Sequence, residues 1–371
     1  MKPPLLESIY IHIPFCLQKC NYCSFISFID NLHRQKEYFD ALLNEISSAS
    51  YDGTIKTIYI GGGTPSLIDI SNYEKLFEFI YKKFKVSNTA EITLEVNPAT
   101  GDLNYFTNLK KLGINRLSIG AQSFDDNILK FINRPHLSND IKNTVKLAQK
   151  ACFENISLDI IYGLPFQTFE ILEKTLNECI NLEIKHISTY GLKIEEGTVF
   201  YKKPPEKLPA EDLCADMYLK IIDILLKNDF EHYEISNFSK REFKSKHNIN
   251  YWKNNGYYGF GLSAHGYIEG KRYANTDNFD KYLKNPLLKE FSNTLSSKDM
   301  MEEGIFLGLR MSKGISLKDF KTRYNVDICT KYSDIIQKYS ELELLTVKNG
   351  HISLTTKGFM LSNIVMAEFL N

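Results

Sequence analysis

Apolar residues in the first half of the chain recur in two alternating rhythms. Runs with period two, or with continuous apolar character, fall at Ile9 to Ile13, Thr57 to Ile60, Glu91 to Val96, Arg116 to Ile119, Ser157 to Ile161 and His186 to Tyr190, and read as strands. Between them the stretches EYFDALLNEISSA, NYEKLFEFIYKKF, LNYFTNLKKLG and TFEILEKTLNECINL carry helical spacing, several of them closed by turn residues. Strand followed by helix, six times over, calls for parallel neighbours, because a crossover returns the chain to begin each strand in the same direction. Right-handed crossovers then leave two α/β architectures open, a doubly wound sheet and a barrel.

The polar residues cluster at one end of these strands. Cys16, GGGTP at 61–65, EVNP at 95–98, Gln122 and DIIYGLP from Asp159 all lie at or beyond a strand's C-terminal end. Barrels and open parallel sheets both gather their sites on that edge. After Tyr190 the pattern changes. EEGTVFYKKPPEKLP reads as a connection, ADMYLKIIDILLKN as a helix, and Tyr233 to Tyr273 as an aromatic, Gly- and Asn-rich region holding Trp252, the sole tryptophan. From about Met300, three helical patterns precede LLTVKNGHISLT, a hairpin turning at Asn349-Gly350, and a last helix. The expected division is a core domain over 1–235 and a C-terminal α+β region over 236–371, itself split into the aromatic segment 236–298 and a winged-helix-like end, 299–371. Residues 315–371 hold seven Lys/Arg and six Asp/Glu, so that end reads as a structural or protein-contacting unit rather than a DNA reader.

At 371 residues the chain has room for two or three domains. Its 45 basic and 45 acidic side chains cancel, which argues against a nucleic-acid partner and against a polybasic membrane patch. Neither the apolar core of a signal peptide nor a membrane-length apolar run is present, so a cytoplasmic location is expected. Thiols stay reduced there, and a tight cysteine group then points to a metal site. Cys152, Cys179, Cys214 and Cys329 stand alone and read as small buried hydrophobes.

Such a group exists in YIHIPFCLQKCNYCSF, where Cys16, Cys20 and Cys23 fall within eight residues. Thiolates hold [4Fe-4S] clusters, and full ligation takes four. A C-x3-C-x2-C loop provides three and leaves one iron for a further chelate. A zinc ion completed by His12 or a distant side chain is the competing reading. Zinc loops favour paired C-x2-C halves, however, and no second half follows.

The loop is similar to the signature of the radical S-adenosylmethionine (SAM) superfamily. Together with GGGTPS, EVNP, NRLSIGAQSF, DIIYGLP and YEISNF it resembles the oxygen-independent coproporphyrinogen III oxidase family over about residues 8 to 370. The resemblance implies a partial (β/α)6 barrel of the TIM type and a [4Fe-4S] cluster on Cys16, Cys20 and Cys23, its open iron chelated by SAM. It further implies SAM contacts from Tyr10, Tyr22, Gly62, Gly63, Thr64, Glu95, Gln122, Arg134 and Asp159. The residue types suit such contacts, since glycines admit close backbone approach, a carboxylate suits an ammonium or ribose hydroxyl, and arginine suits a carboxylate.

Two departures matter. The oxidases of this family carry a fourth cysteine two residues after the third, where this chain has Phe25, and an N-terminal extension that does not precede the signature here. Both departures match the heme-chaperone branch. KHNINYW at 246–252 also fits the H-N-x-x-Y-W motif associated there with heme binding. Neutral imidazole is a usual axial ligand, so His247 is the candidate heme ligand, with His265 of GLSAHGY second. The implied function is a chaperone that holds heme, cluster and SAM. It would hand heme to an acceptor, a respiratory heme protein, with peripheral membrane association through that acceptor and a homodimer as further expectations. The alternative is an oxygen-independent coproporphyrinogen III oxidase that decarboxylates propionates by radical chemistry.

Overall fold

A computed structural model describes residues 4–370. All six expected strands form: β1 (Leu6–Ile13), β2 (Thr54–Gly62), β3 (Lys85–Val96), β4 (Arg116–Gln122), β5 (Asn155–Tyr162) and β6 (His186–Gly191). They lie side by side in sequence order, and each pairs in parallel with the next. A doubly wound sheet reverses its strand order once, at a switch point. This one never does, so the crossovers wind one way and the sheet curls into a barrel arc. The arc stays open, because β1 and β6 pair with later strands instead of each other.

Both faces of the arc are buried, and they differ in character. Ile9, Ile11, Ile58, Ile60, Ile92, Leu94, Leu117, Ile119, Leu158 and Ile187 are fully or almost fully buried and form the layer beneath the helices. The alternate positions are polar. The registers Tyr10↔Tyr59, Tyr59↔Thr93 and Thr93↔Arg116 place four such residues in one row across the inner face. Residues two apart along a strand share a face, so that row is continued by Glu95, Ser118 and Asp159. Strand alternation therefore delivers a hydrophobic outer layer and a polar barrel interior from the same segments.

The later chain completes both ends of this sheet. β7 (Glu231–Glu234) and β8 (Asn237–Ser239) extend it beyond β6. β9 (Gly256–Phe260) runs parallel beside β1 and is followed outward by β10 (His265–Ile268), β11 (Lys271–Asn275) and β12 (Lys289–Thr294). The expected division at 235/236 thus falls between β7 and β8, which pair with each other inside a twelve-stranded sheet. A separate three-stranded sheet, of β13 (Ile315–Ser316), β14 (Leu345–Lys348) and β15 (His351–Leu354), carries the winged-helix-like end. Its hairpin turns at Asn349 and Gly350, both with positive φ of 52° and 73°, as a two-residue primed turn requires. Among the described residues no helix is long and apolar enough to cross a membrane.

One buried carboxylate ties the added strands to the barrel. Glu45, on the helix Gln35–Ser48, accepts hydrogen bonds from the Gly261 amide (2.8 Å), Asn275 Nδ2 (2.7 Å), the Tyr282 hydroxyl (2.8 Å) and Lys289 Nζ (3.2 Å). All four donors come from the segment between β9 and the start of β12.

Candidate functional site

The cysteine loop leaves β1 at Pro14 and is strapped down by backbone hydrogen bonds at several points. The Cys16 amide donates to the Phe28 carbonyl (3.0 Å), Phe28 to Pro14 (2.8 Å), Asn21 to Ile132 (3.1 Å) and Phe200 to Asn21 (2.9 Å). This shape exists with protein partners alone. Cys16, Cys20 and Cys23 carry free thiols and line one cavity of about 320 Å³ at the C-terminal ends of the strands. Among the described residues no three His, Cys, Asp or Glu side chains converge as a single ion requires.

Tyr22, Gly62, Gly63, Thr64, Glu95, Gln122, Arg134 and Asp159 line the same cavity, so the structure brings eight of the expected SAM contacts together with the three thiols. Tyr10 lies outside this lining, half-buried, with its hydroxyl 3.0 Å from His12 Nδ1 and its ring stacked on Tyr59.

The glycines of GGGTP meet protein rather than open space. A Cβ on Gly61 would sit 2.9 Å from the Glu95 carboxyl, one on Gly62 2.6 Å from the His12 ring, and one on Gly63 2.6 Å from the Phe15 carbonyl oxygen. Gly62 also has φ of 119°, a backbone state that other residues rarely adopt. Their smallness lets this turn lie flat against the cysteine loop, where Gly63 and Thr64 donate to the carbonyls of Ile13 (2.8 Å) and Phe15 (2.7 Å). Gln122 sits at φ of 64° beside a bulge, where Gly120 pairs with Asp159 and Gln122 with Ile160, and this irregularity ends β4 at the cavity.

The charged groups are positioned with few degrees of freedom left. Arg134 donates to Asn97 Oδ1 (2.8 Å) and the Gly120 carbonyl (2.7 Å), and its Nη1 lies 3.4 Å from Cys20 Sγ. Asn97 in turn donates to Thr64 Oγ1 (3.0 Å), which lies 3.5 Å from Cys16 Sγ. A hydrogen-bonded chain thus links two of the thiols. Asn97 does not stand out from sequence, although it lies in the EVNP motif directly after β3 and two residues beyond Glu95. Asp159 accepts from Ser118 (3.0 Å) and Ser157 (3.4 Å), and burial raises its pKa.

Glu95 is held on both oxygens, by the Tyr59 hydroxyl (2.8 Å) and the Gly62 amide (3.0 Å). Burial pushes its pKa up to about 7, with nearby Asp159 adding to the rise against the pull of Tyr59. The residues present fit the group the loop implies. Arg134 Nε is buried without a partner, and two half-buried carboxylates, Glu95 and Asp159, line the space where a cationic, amino- and carboxylate-bearing ligand would lie. Cys16, Cys20 and Cys23 would hold the cluster, while Glu95, Asp159 and Arg134 would hold SAM. When bound, the pair supplies low-potential electron transfer to a sulfonium. SAM affinity is expected to strengthen as pH rises through about 7, where Glu95 gains the charge that attracts an ammonium, and to lose that dependence in Glu95→Gln. Calorimetric titration at several pH values measures it. The empty protein behaves oppositely: a carboxyl whose folded pKa exceeds its unfolded 4.5 loses stability as pH rises between 4.5 and about 7.

His247 differs from expectation in setting. The sequence shows only an aromatic, Gly- and Asn-rich region here, whereas the residue lies on a helix, Lys246–Trp252, and is 1% exposed, outside the cavity lining. Glu91 of β3 accepts from its backbone amide and that of Lys246, both at 3.0 Å, which pins this helix to the barrel interior. Its Nδ1 lies 2.8 Å from Thr57 Oγ1, and since that hydroxyl donates onward to Ser8 (2.7 Å), Nδ1 carries the proton. Nε2 then accepts from the Tyr251 hydroxyl (2.8 Å). Burial, assisted by Arg116, lowers its pKa to about 3, so the imidazole is neutral. His265 is exposed at the start of β10, its ring 5.7 Å from that of Phe291.

Comparison with known proteins agrees with this geometry. Residues 10–179 match the radical SAM superfamily, and residues 295–361 match the HemN C-terminal domain. The chain is 38% identical to the heme chaperone HemW of Lactococcus lactis, over 98% of this chain and 97% of that one. It is 36% identical to HemW of Bacillus subtilis, over 98% and 99%. It is also 32% identical to the mitochondrial radical S-adenosyl methionine domain-containing protein 1 of Danio rerio, over 98% and 86%. Among solved structures, the coproporphyrinogen III oxidase HemN of Escherichia coli superposes with a TM-score of 0.87 at 21% identity, covering 99% of this chain and 90% of that one, a likeness of fold.

Proposed function

From the chain's membership of the HemW family of heme chaperones, which its near full-length likeness establishes, we propose that it binds heme and passes it to an acceptor protein. The cluster and SAM occupy the barrel cavity meanwhile. The observation on this chain that carries the reading is the state of His247. An iron-ligating histidine is neutral, and it donates its other ring N–H to a fixed acceptor that sets tautomer and orientation. His247 has both properties, with Thr57 as the acceptor and the Nε2 lone pair left for a donor or a metal. Tyr251 fills that position here, so heme ligation requires its hydroxyl to withdraw. The proposal extends to a respiratory heme protein as acceptor, met in the cytoplasm or at the membrane periphery, and to a homodimer as the loaded form.

A heme titration of anaerobically prepared protein tests it, followed by absorbance with and without the cluster. Stoichiometric binding is expected, weakened more than about tenfold in His247→Ala with a shifted Soret band. Unchanged affinity and spectrum would remove His247 as ligand. No heme binding by the cluster-loaded protein would overturn the chaperone reading in favour of porphyrinogen oxidation.

A further inference from the structure

The helix carrying His247 and the SAM cavity share a wall, and that wall is Tyr59. Its hydroxyl donates to Glu95 Oε1 at 2.8 Å, and Glu95 lines the cavity. The ring is gripped from two directions. Tyr10 stacks on it with centroids 6.2 Å apart, and the His247 ring lies closer, at 5.2 Å and 30°. His247 is itself fixed at three points, its amide on Glu91, Nδ1 on Thr57 and Nε2 on Tyr251. Thr57 precedes Tyr59 on the same face of β2, so the histidine is bonded to one residue of that strand and packed on the next. Gly61, the following residue on that face, lacks the Cβ that would collide with both Tyr59 and Glu95. A tyrosine ring free to tilt would carry its hydroxyl away from Glu95 and leave that carboxylate held by the Gly62 amide alone.

We propose that His247 is a positioning residue of the SAM cavity, acting through Tyr59 on Glu95. This rests on SAM occupying the cavity and not on heme ligation by His247. It adds a regulatory consequence where both hold. Ligation of iron at Nε2 exchanges one of the two bonds that fix the ring, the one to Tyr251, for a bond to heme, so heme ligation re-aims the ring that Tyr59 packs on, and whatever change this makes in SAM affinity is returned by linkage to heme affinity.

The test is SAM affinity, measured by calorimetry on cluster-loaded, heme-free protein for His247→Ala, Tyr59→Phe and the double variant. Each single variant is expected to bind SAM about tenfold more weakly, the scale of one lost hydrogen bond to a charged group. The double variant is expected to bind no worse than Tyr59→Phe, because both act on one hydroxyl. His247→Phe, which keeps a ring against Tyr59, is expected to recover most of the affinity; if His247→Ala fails to fold, this variant in the Tyr59→Phe background replaces it in the cycle, where its small effect must vanish. SAM affinity within twofold of the parent in His247→Ala, or effects that add in the double variant, would overturn the proposal. Heme titration of the same variants separates the two readings. Heme affinity lost with SAM affinity intact defeats this inference and spares the chaperone's ligand, and the reverse outcome does the opposite.

Discussion

Replacing any one of Cys16, Cys20 or Cys23 with serine is expected to reduce iron bound after anaerobic reconstitution from about four atoms per chain to near zero. Serine's hydroxyl does not ionise near neutrality, so the iron at that corner loses its anionic ligand. No substitute is at hand, because Cys152, Cys179, Cys214 and Cys329 do not line the cavity. The loop's backbone bonds to Phe28, Ile132 and Phe200 do not involve the thiols, so each variant is expected to stay folded with an unchanged far-ultraviolet spectrum. Iron analysis and the visible charge-transfer absorbance read the result. Full iron content in all three variants would show that the loop is not the metal site.

The second large effect concerns Glu45. Glu45→Ala removes a buried acceptor and leaves Asn275, Tyr282, the Gly261 amide and the half-buried Lys289 to find other partners. A buried donor that finds no other partner costs about 1–3 kcal/mol, and three of these four are buried and neutral. Unfolding in urea should show that loss, with Glu45→Gln losing less because an amide oxygen still accepts two of the bonds. Burial raises the Glu45 pKa, so part of the clamp's charge is traded for protonation as pH falls. A change below about 1 kcal/mol in Glu45→Ala would mean that apolar packing, not this carboxylate, fixes the outer strands.

The six barrel strands were legible because their apolar positions are local: Ile58 and Ile60 announce a strand without reference to anything distant. The cavity residues were legible for a related reason, since a parallel arc brings every strand's C-terminal end to one edge. What could not be read depended on partners far along the chain. The pairing of β9 with β1 joins segments whose sequences carry no mark of each other. The helix Ser138–Lys150 passed unnoticed because polar residues interrupt its apolar stripe of Ile141, Val145 and Ala148. The burial of His247 on a helix was not legible, because it is supplied by Thr57, Tyr59 and Glu91, all contributed by two barrel strands. The glycines of GGGTP were traceable to close approach, but whether a ligand or the chain itself approaches was visible only once Phe15 and His12 were in place.

The position of β1 bears on how the protein is made. It leaves the ribosome ahead of the other strands of its sheet, and the strand that covers its outer edge begins only at Gly256. At the usual pace of translation that interval lasts on the order of tens of seconds. Throughout it, an isoleucine-rich strand, with the cysteine loop attached, offers an unpaired edge to any neighbouring nascent chain. Synthesis of this protein is therefore vulnerable in a way its finished form is not, and its yield should depend on whatever shields that edge until β9 has emerged.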